Sequence, residues 1–362
     1  MISRPTAQPQ VDPAAYARLL LPWFDTSGRH DLPWQHPRDA YRVWLSEVML
    51  QQTQVRVVIP YFARFITACP TLPDLASATQ DQVLALWSGL GYYTRARNLH
   101  AAARRCVDLH DGALPRGIDA LVALPGIGRS TAAAIASQAW GDPHAILDGN
   151  VRRVLARIHG VEGWPGLPRV AKHLWALADA HVTAAALPPS RMPDYTQAQM
   201  DLGATLCTRS APACVLCPVQ DICIARIEGR TAQLPTPRPG KALPQRHAHL
   251  LLVEDGLGRV LLQQRPPTGV WALLWSLPQF DDAVAAQAWA HANLHTSQAM
   301  DALPTVAHAF SHYRLDLHPL VVREASLVRI ADATMRWVPR DQLVDHGIPS
   351  PVRVLLESRM RG

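Results

Sequence analysis

The stretch Leu124–Asn150, LPGIGRSTAAAIASQAWGDPHAILDGN, decides the reading of the chain. It opens on a tight apolar corner, Leu124-Pro125-Gly126-Ile127-Gly128. Pro125 fixes one backbone angle. Gly126 and Gly128 permit positive φ and leave no side chain to block close approach. A short helix closed by Leu121 and Leu124 precedes the corner, and a small-residue helix is expected from Arg129 to about Ala139. Two helices joined this way turn backbone N–H groups outward, where they can hold a phosphate oxygen, and the second N-terminus adds a favourable dipole. The plain alternative is an ordinary helix–turn–helix corner. A bare GxG would favour it; the full string LPGIGRSTAAAI is more specific. Gly141-Asp142-Pro143 breaks the helix, and a short apolar run delivers Asp148, with Gly149, Asn150 and a helix from Val151 to His159 behind it. An Asp there is an N-cap, a role compatible with chemistry. The N–H groups it caps stabilise the anion, so Asp148 is expected to be ionised at neutral pH.

Upstream, Pro13–Trp23 reads as a first helix, and Asp39 caps a second that runs to Gln51. Tyr41, Trp44, Leu45 and Val48 share one face of it, which is core spacing. Glu47 lies off that stripe, beside Val43, Trp44 and Leu50. A surface Glu is the default reading, but apolar neighbours raise a carboxyl pKa if the group sits in a cleft. One carboxyl kept protonated and another kept ionised is what glycosidic-bond cleavage needs: an acid for the leaving group and an anion facing the oxocarbenium. Gln51-Gln52-Thr53 is either a plain helix end or a set of hydrogen-bonding groups suited to base edges. Helices are expected over Gln54–Cys69 and Asp81–Trp87. Gly89-Leu90-Gly91-Tyr92-Tyr93 then breaks the pattern, with one ring for the core and the other free to wedge between bases. Arg95, Arg97, Arg104 and Arg105 read as a solvated helix face.

The chain has 362 residues, 48% hydrophobic and 18% charged, with a net charge of +6. That fits two or three folded domains, argues against disorder and permits an anionic partner. No apolar run reaches membrane-spanning length and no signal-peptide core is present, so a cytosolic protein is expected. Lys172 and Lys241 are the only lysines, which removes almost every candidate for amine catalysis. Of six cysteines, Cys207, Cys214, Cys217 and Cys223 form C-x6-C-x2-C-x5-C with no His nearby. In a cytosolic chain such clustering favours metal over disulfides. Zinc is the generic alternative; a [4Fe–4S] cluster is preferred because the loops are short.

Glu228–Arg246 carries prolines, glycine and basic residues and reads as an extended linker. Beyond it the pattern alternates. His247–Glu254, Arg259–Arg265 and Leu274–Phe280 are expected strands, Asp282–Leu294 a helix, Val306–Leu317 a strand continuing without a turn to about Arg323, and Pro351–Met360 a final helix.

SEVMLQQTQV (Ser46–Val55), GLGYYTRARNL (Gly89–Leu99), LPGIGRSTAAAI (Leu124–Ile135), ILDGNVRRV (Ile146–Val154) and the four-cysteine loop together resemble the MutY-type adenine glycosylases of the helix–hairpin–helix DNA glycosylase superfamily. The resemblance covers most of Asp12–Arg230. It implies a multidomain protein. An all-α glycosylase region over 1–230 would hold the hairpin at about 118–140 and a [4Fe–4S] loop at 207–223. A linker over 231–246 and an α+β Nudix-like domain over 247–362 would follow.

The implied activity is flipping and hydrolytic removal of adenine mispaired with 8-oxoguanine or guanine in double-stranded DNA, by a monomer. By motif, Glu47 resembles the acid that protonates adenine N7 and Asp148 the carboxylate that stabilises the sugar cation. Asn150 orients the site, and Ser130 stands on its sugar side. Gln52, Thr53 and Tyr92 match residues that enter the duplex, Gly126 and Gly128 the phosphate grip, and Trp34 and Gln197 the adenine pocket. Cys207, Cys214, Cys217 and Cys223 match the cluster ligands. The Phe310-Ser311-His312 run resembles a loop that meets the 8-oxoguanine strand. No Glu occurs between Asp255 and Arg323, so the second domain lacks the Glu-rich helix of a true Nudix hydrolase. The rival readings are an endonuclease III-like glycosylase/lyase and a catalytically silent lesion-binding protein. The lyase needs a Lys where Ser130 stands; the silent binder would not need both carboxyls.

Overall fold

The computed structural model describes residues 11–240, 242–296, 299–327 and 334–358. Met1–Gln10, Lys241 of the expected linker, and the end of the last expected helix at Met360 lie outside them. The helical elements are α1 Pro13–Ser27, α2 Ala40–Leu50, α3 Val55–Ala68, α4 Leu72–Ser77, α5 Gln80–Leu86, α6 Thr94–Leu109, α7 Ile118–Val122, α8 Arg129–Trp140, α9 Gly149–Ile158, α10 Pro168–Ala185, α11 Met192–Asp201 and α12 Ile224–Ile227. Their starts follow from side-chain caps. Asp12 accepts from Ala14 N at 3.0 Å, Asp39 from Arg42 N at 2.9 Å and Asp148 from Val151 N at 2.8 Å. Thr79 and Gln82 form a reciprocal capping box at the start of α5.

The chain divides into two compact units. The first comprises the described residues of Met1–Ala63, Thr71–Pro73 and Ala101–Gly240. Its centre is α8, whose Ala132–Gln138 are all buried and which packs against α2, α7 and α11. Small side chains let those helices approach closely. The helix stops at Gly141, φ +76°, where an added Cβ would stand 2.4 Å from Pro189 O. α1, α9, α10 and α11 complete an apolar core with Tyr16, Leu20, Phe24, Leu155, Leu174 and Tyr195 at its heart. The first part of the expected linker is docked rather than extended. Leu234 is buried and its carbonyl accepts from Arg157 Nε at 2.8 Å, Thr236 Oγ1 accepts from Gly163 N at 3.0 Å, and Arg238 lies over the Trp164 ring. One apolar side chain with a pocket outweighed the local composition.

The second unit comprises Arg64–Pro70, Asp74–His100 and the described residues of Lys241–Gly362. Its strands are β1 Gln245–Val253, β2 Val260–Gln264, β3 Trp275–Ser276, β4 Gln279–Phe280, β5 Leu294–His295, β6 Asp301–Ala302, β7 Val306–Ala309, β8 Arg314–Val322, β9 Ser326–Leu327 and β10 Met335–Val338, with helices α13 Ala283–Asn293 and α14 Ser350–Ser358. β1 and β8 run parallel, Ala248 opposite Leu317, flanked by antiparallel β4, β6 and β7; β10, β2 and β3 form a second sheet. Two expectations are corrected. The long strand from Val306 is a hairpin, because Phe310 N bonds Tyr313 O at 2.9 Å and the chain reverses between β7 and β8. Aromatic contacts, not a Gly or Pro, make that turn. The strand expected over Leu274–Phe280 is two short strands broken at Leu277-Pro278, where Pro278 has no N–H for a ladder.

Candidate active site

The α8 scaffold brings Glu47 and Asp148 into one another's field. Glu47 projects from α2 and receives a hydrogen bond from Gln138 Nε2 of α8 at 3.0 Å. Ser130, the second residue of α8, accepts Leu147 N–H at 3.0 Å and so fixes the residue before Asp148. Loss of solvent pushes the Glu47 carboxyl up to about 7, and the negative charge of Asp148 adds to the shift, while the Gln138 bond opposes it. The Asp148 pKa is raised, because desolvation outweighs the N–H groups of Val151 and Asn150 and the charges of Arg153 and Arg152. The order of ionisation follows from the partners. Asp148 has two N–H donors and two guanidinium groups for its anion, whereas Glu47 has one amide and faces an anion. Asp148 gives up its proton first, leaving Glu47 as the protonated member.

Asn150 is held from behind. Its Oδ1 accepts from Arg153 Nη2 at 2.8 Å, and Arg153 also donates to Gly203 O and Cys207 O, both at 2.7 Å. Gly203 is indispensable here, since an added Cβ would stand 2.6 Å from Asn150 Cβ. Sequence reading missed Gln138, Arg153 and Gly203. The only signal for Gln138 is that it is the one amide side chain in a helix built mostly of small residues.

The hairpin joins α7 to α8 as expected, with Gly126 at φ +76°. Gly128 does not use positive φ. It has φ −90° and ψ 172° as the N-cap of α8, and an added Cβ would meet nothing within 4 Å. Both glycines are exposed, so the backbone is open to an approaching group. Arg129 is turned away from it, over the Trp175 ring and bonded to Asp179 at 2.7 and 2.8 Å. Gln52 (φ +59°) and Tyr92 (φ +49°) are exposed residues in the left-handed region without being glycine. Backbone strain of that kind collects at functional loops. Thr53, beside Gln52, is partly exposed. Trp34 is buried with its edge against Phe62, and Gln197 is buried and donates to Asp201 Oδ1 at 2.7 Å. Asp201 also accepts from Arg29 N at 2.8 Å and Nε at 2.9 Å.

All four clustered cysteines line one apolar cavity, together with Val154, Arg157 and Leu202. Cys207 follows a single π-turn that ends the α11 segment, Cys214 begins a 3-10 turn and Cys217 follows it. Arg157 Nη1 lies 3.2 Å from Cys207 Sγ. Burial and the neighbouring sulfurs push the Cys217 thiol up to about 12. Four sulfur donors lining one apolar cavity are a ligand set that suits an iron–sulfur cluster. Among the described residues, no three His, Cys, Asp or Glu side chains stand gathered around a position for a metal ion.

In the second unit Phe310 stacks near Tyr313 and Trp271, with ring centroids 4.7 and 5.6 Å away, while Ser311 and His312 are exposed at the hairpin tip. Arg246 lies over Tyr313.

Residues 45–180 match the HhH-GPD superfamily of base excision DNA repair proteins, and residues 248–358 match the NUDIX domain. An adenine DNA glycosylase of Buchnera aphidicola (subsp. Acyrthosiphon pisum) is 33% identical over 95% of this chain and 97% of its own length. The human adenine DNA glycosylase is 36% identical, over 91% of this chain and 71% of its own. Among solved structures, a thermostable thymine-DNA glycosylase aligns with a TM-score of 0.53 at 27% identity, over 60% of this chain and 97% of its own. Endonuclease III trapped covalently on DNA aligns with a TM-score of 0.50 at 20% identity, over 61% of this chain and 99% of its own, a likeness of fold.

Proposed function

The chain belongs to the adenine DNA glycosylase family, and from that premise we propose that it excises adenine opposite 8-oxoguanine or guanine, with Glu47 as acid and Asp148 as anion. It is a DNA N-glycosylase of base excision repair. The observation that carries the residue assignment is the Glu47 carboxyl pushed up to about 7 beside Asp148. At neutral pH a large share of Glu47 holds a proton to give.

The flipped adenine receives that proton at N7. The C1′–N9 bond breaks and its electron pair leaves with the base. Asp148, as the anion, stabilises the oxocarbenium at C1′, and Asn150 keeps the site aligned. Water adds at C1′ and gives its proton to Glu47, now a carboxylate. Ser130 supports the sugar side through Leu147 rather than by attack, so strand cleavage by a Schiff base has no amine to start it. Gly126 and Gly128 grip a phosphate, Gln52, Thr53 and Tyr92 enter the duplex, and Trp34 and Gln197 line the adenine pocket. Phe310, Ser311 and His312 meet the 8-oxoguanine strand. Cys207, Cys214, Cys217 and Cys223 would hold a [4Fe–4S] cluster, which when bound supplies cationic charge and a fixed loop. The protein acts as a monomer on double-stranded DNA in the cytoplasm, at the nucleoid; among the described residues no helix is long and apolar enough to cross a membrane.

Single-turnover excision from duplexes carrying A opposite 8-oxoguanine, G or T, with thymine glycol as a control, tests this. Release of adenine from the first two without strand scission is expected. No release from A opposite 8-oxoguanine would overturn it.

A further inference from the structure

We propose that the Nudix-like domain sets the conformation of the Tyr92 loop through Tyr93, whose hydroxyl ties that loop to the backbone of Ile348. The proposal rests on the duplex role given to Tyr92 above. Three of the four residues Gly89-Leu90-Gly91-Tyr92 have positive φ: 104°, 70° and 49° at Gly89, Gly91 and Tyr92. The last of these is an unfavourable conformation for a residue with a side chain, so the loop persists only if its surroundings hold it. Tyr92 is 50% exposed, with Arg95 over its ring, whereas Tyr93 is 7% exposed.

The phenol of Tyr93 does two things. It accepts Gly89 N–H at 3.5 Å, which closes the loop on itself, and it donates to Ile348 O at 3.1 Å. Ser88 Oγ donates to the same carbonyl at 3.1 Å and receives Arg353 Nη2 at 3.0 Å. Arg97, just beyond the loop, donates to Ala272 O at 2.8 Å. The turn that presents Ile348 needs a glycine before it, because a Cβ on Gly347 would stand 2.8 Å from Leu84 Cβ. Ala272, Ile348 and Arg353 lie within the NUDIX match, whereas Ser88, Tyr93 and Arg97 lie within the glycosylase match. The recognition domain thus reaches the lesion in a second way, by fixing the wedge supplied by the other half of the sequence. Tyr93 is a positioning residue.

A double-mutant cycle tests it, in the Glu47→Gln background so that bound DNA stays intact. Binding to A:8-oxoguanine duplex is measured together with the fluorescence of 2-aminopurine placed next to the lesion, which reports unstacking. Tyr93→Phe removes one hydroxyl and is expected to weaken binding about five-fold, the size of one buried hydrogen bond, and to blunt the fluorescence rise. In Tyr92→Ala the same change is expected to add nothing. Equal losses in the two backgrounds, or an unmoved fluorescence signal in Tyr93→Phe, would overturn the proposal while leaving Tyr92 its role. A silent Tyr92→Ala would instead remove the role of Tyr92, and the proposal with it. Ser88→Ala repeats the cycle at the same carbonyl should Tyr93→Phe lower the melting temperature.

Discussion

Gln138 donates to Glu47 Oε1 at 3.0 Å across 91 residues of sequence. It opposes both influences that raise the Glu47 pKa, desolvation and the charge of Asp148. Gln138→Leu keeps the volume and removes the donor. The alkaline limb of the pH–rate profile is expected to move up by roughly half a unit to one unit, because the carboxyl then keeps its proton longer. The plateau rate is expected to fall, since the acid loses its orientation. Single-turnover excision across the pH range reads both, and a stationary limb would separate Gln138 from the acid.

Glu47→Gln abolishes the proton source, and excision is expected to fall by about 100-fold or more while duplex binding survives. Stability should move the other way. In the fold Glu47 holds its proton up to about 7, against an ordinary 4.5. The native state therefore binds more protons between those values, and the wild type loses stability as pH rises through that window. Glutamine carries no such penalty. The variant's melting temperature is expected to exceed the wild type's at pH 8 and to approach it near pH 5. A variant less stable at pH 8 would contradict the desolvated acid.

Gly203 has its hydrogen bond and its emptiness used at once. Its carbonyl receives Arg153, and a Cβ would stand 2.6 Å from Asn150. Gly203→Ala is expected to displace Asn150 and lower the excision rate about ten-fold or more, as small misplacements of a site do. Arg153→Met should lower it as well, by releasing Asn150 from the same side. Wild-type rates in both variants would detach Asn150 from the reaction.

The hairpin and the clustering of the four cysteines were legible because each is a local string with chemistry in its spacing. The caps at Asp12, Asp39 and Asp148 were legible for the same reason, whereas Glu47 and Asp148, far apart in sequence, were paired through the resemblance of their two motifs. What was not legible depends on contacts distant in sequence. Nothing near Gln138 says that it faces Glu47. Nothing near Gly203 says that Asn150 leans on it. The balance that raises the Asp148 pKa is set by burial, which a cap motif does not encode. The Phe310–Tyr313 turn lacks Gly and Pro and is made by stacked rings, so alternation ran straight through it. The docking of Leu234 shows a Pro-rich segment overruled by one apolar side chain.

The cysteine cavity gives a prediction independent of DNA. Cys217→Ser replaces a sulfur on that apolar lining. Loss of iron and of brown colour is expected, with a melting temperature lower by several degrees, because a bound centre stabilises the fold it completes. Metal analysis of the purified protein distinguishes the outcomes. Zinc in place of iron would correct the cluster to a single-ion site.

The hairpin tip of the second unit should govern preference rather than chemistry. Ser311 and His312 are exposed there, on a turn that Phe310 anchors beside Tyr313 and Trp271. None of them belongs to the unit that holds Glu47 and Asp148. His312→Ala is expected to lower excision opposite 8-oxoguanine about ten-fold, equivalent to about 1.4 kcal/mol of recognition, and to leave excision opposite guanine nearly unchanged. Phe310→Ala should do the same and also loosen the turn, so its loss should be larger. The ratio of single-turnover efficiencies on the two duplexes is the measurement. A proportionate loss on both would mean that the loop grips DNA without reading the lesion, and the preference would then have to lie with Gln52 and Tyr92.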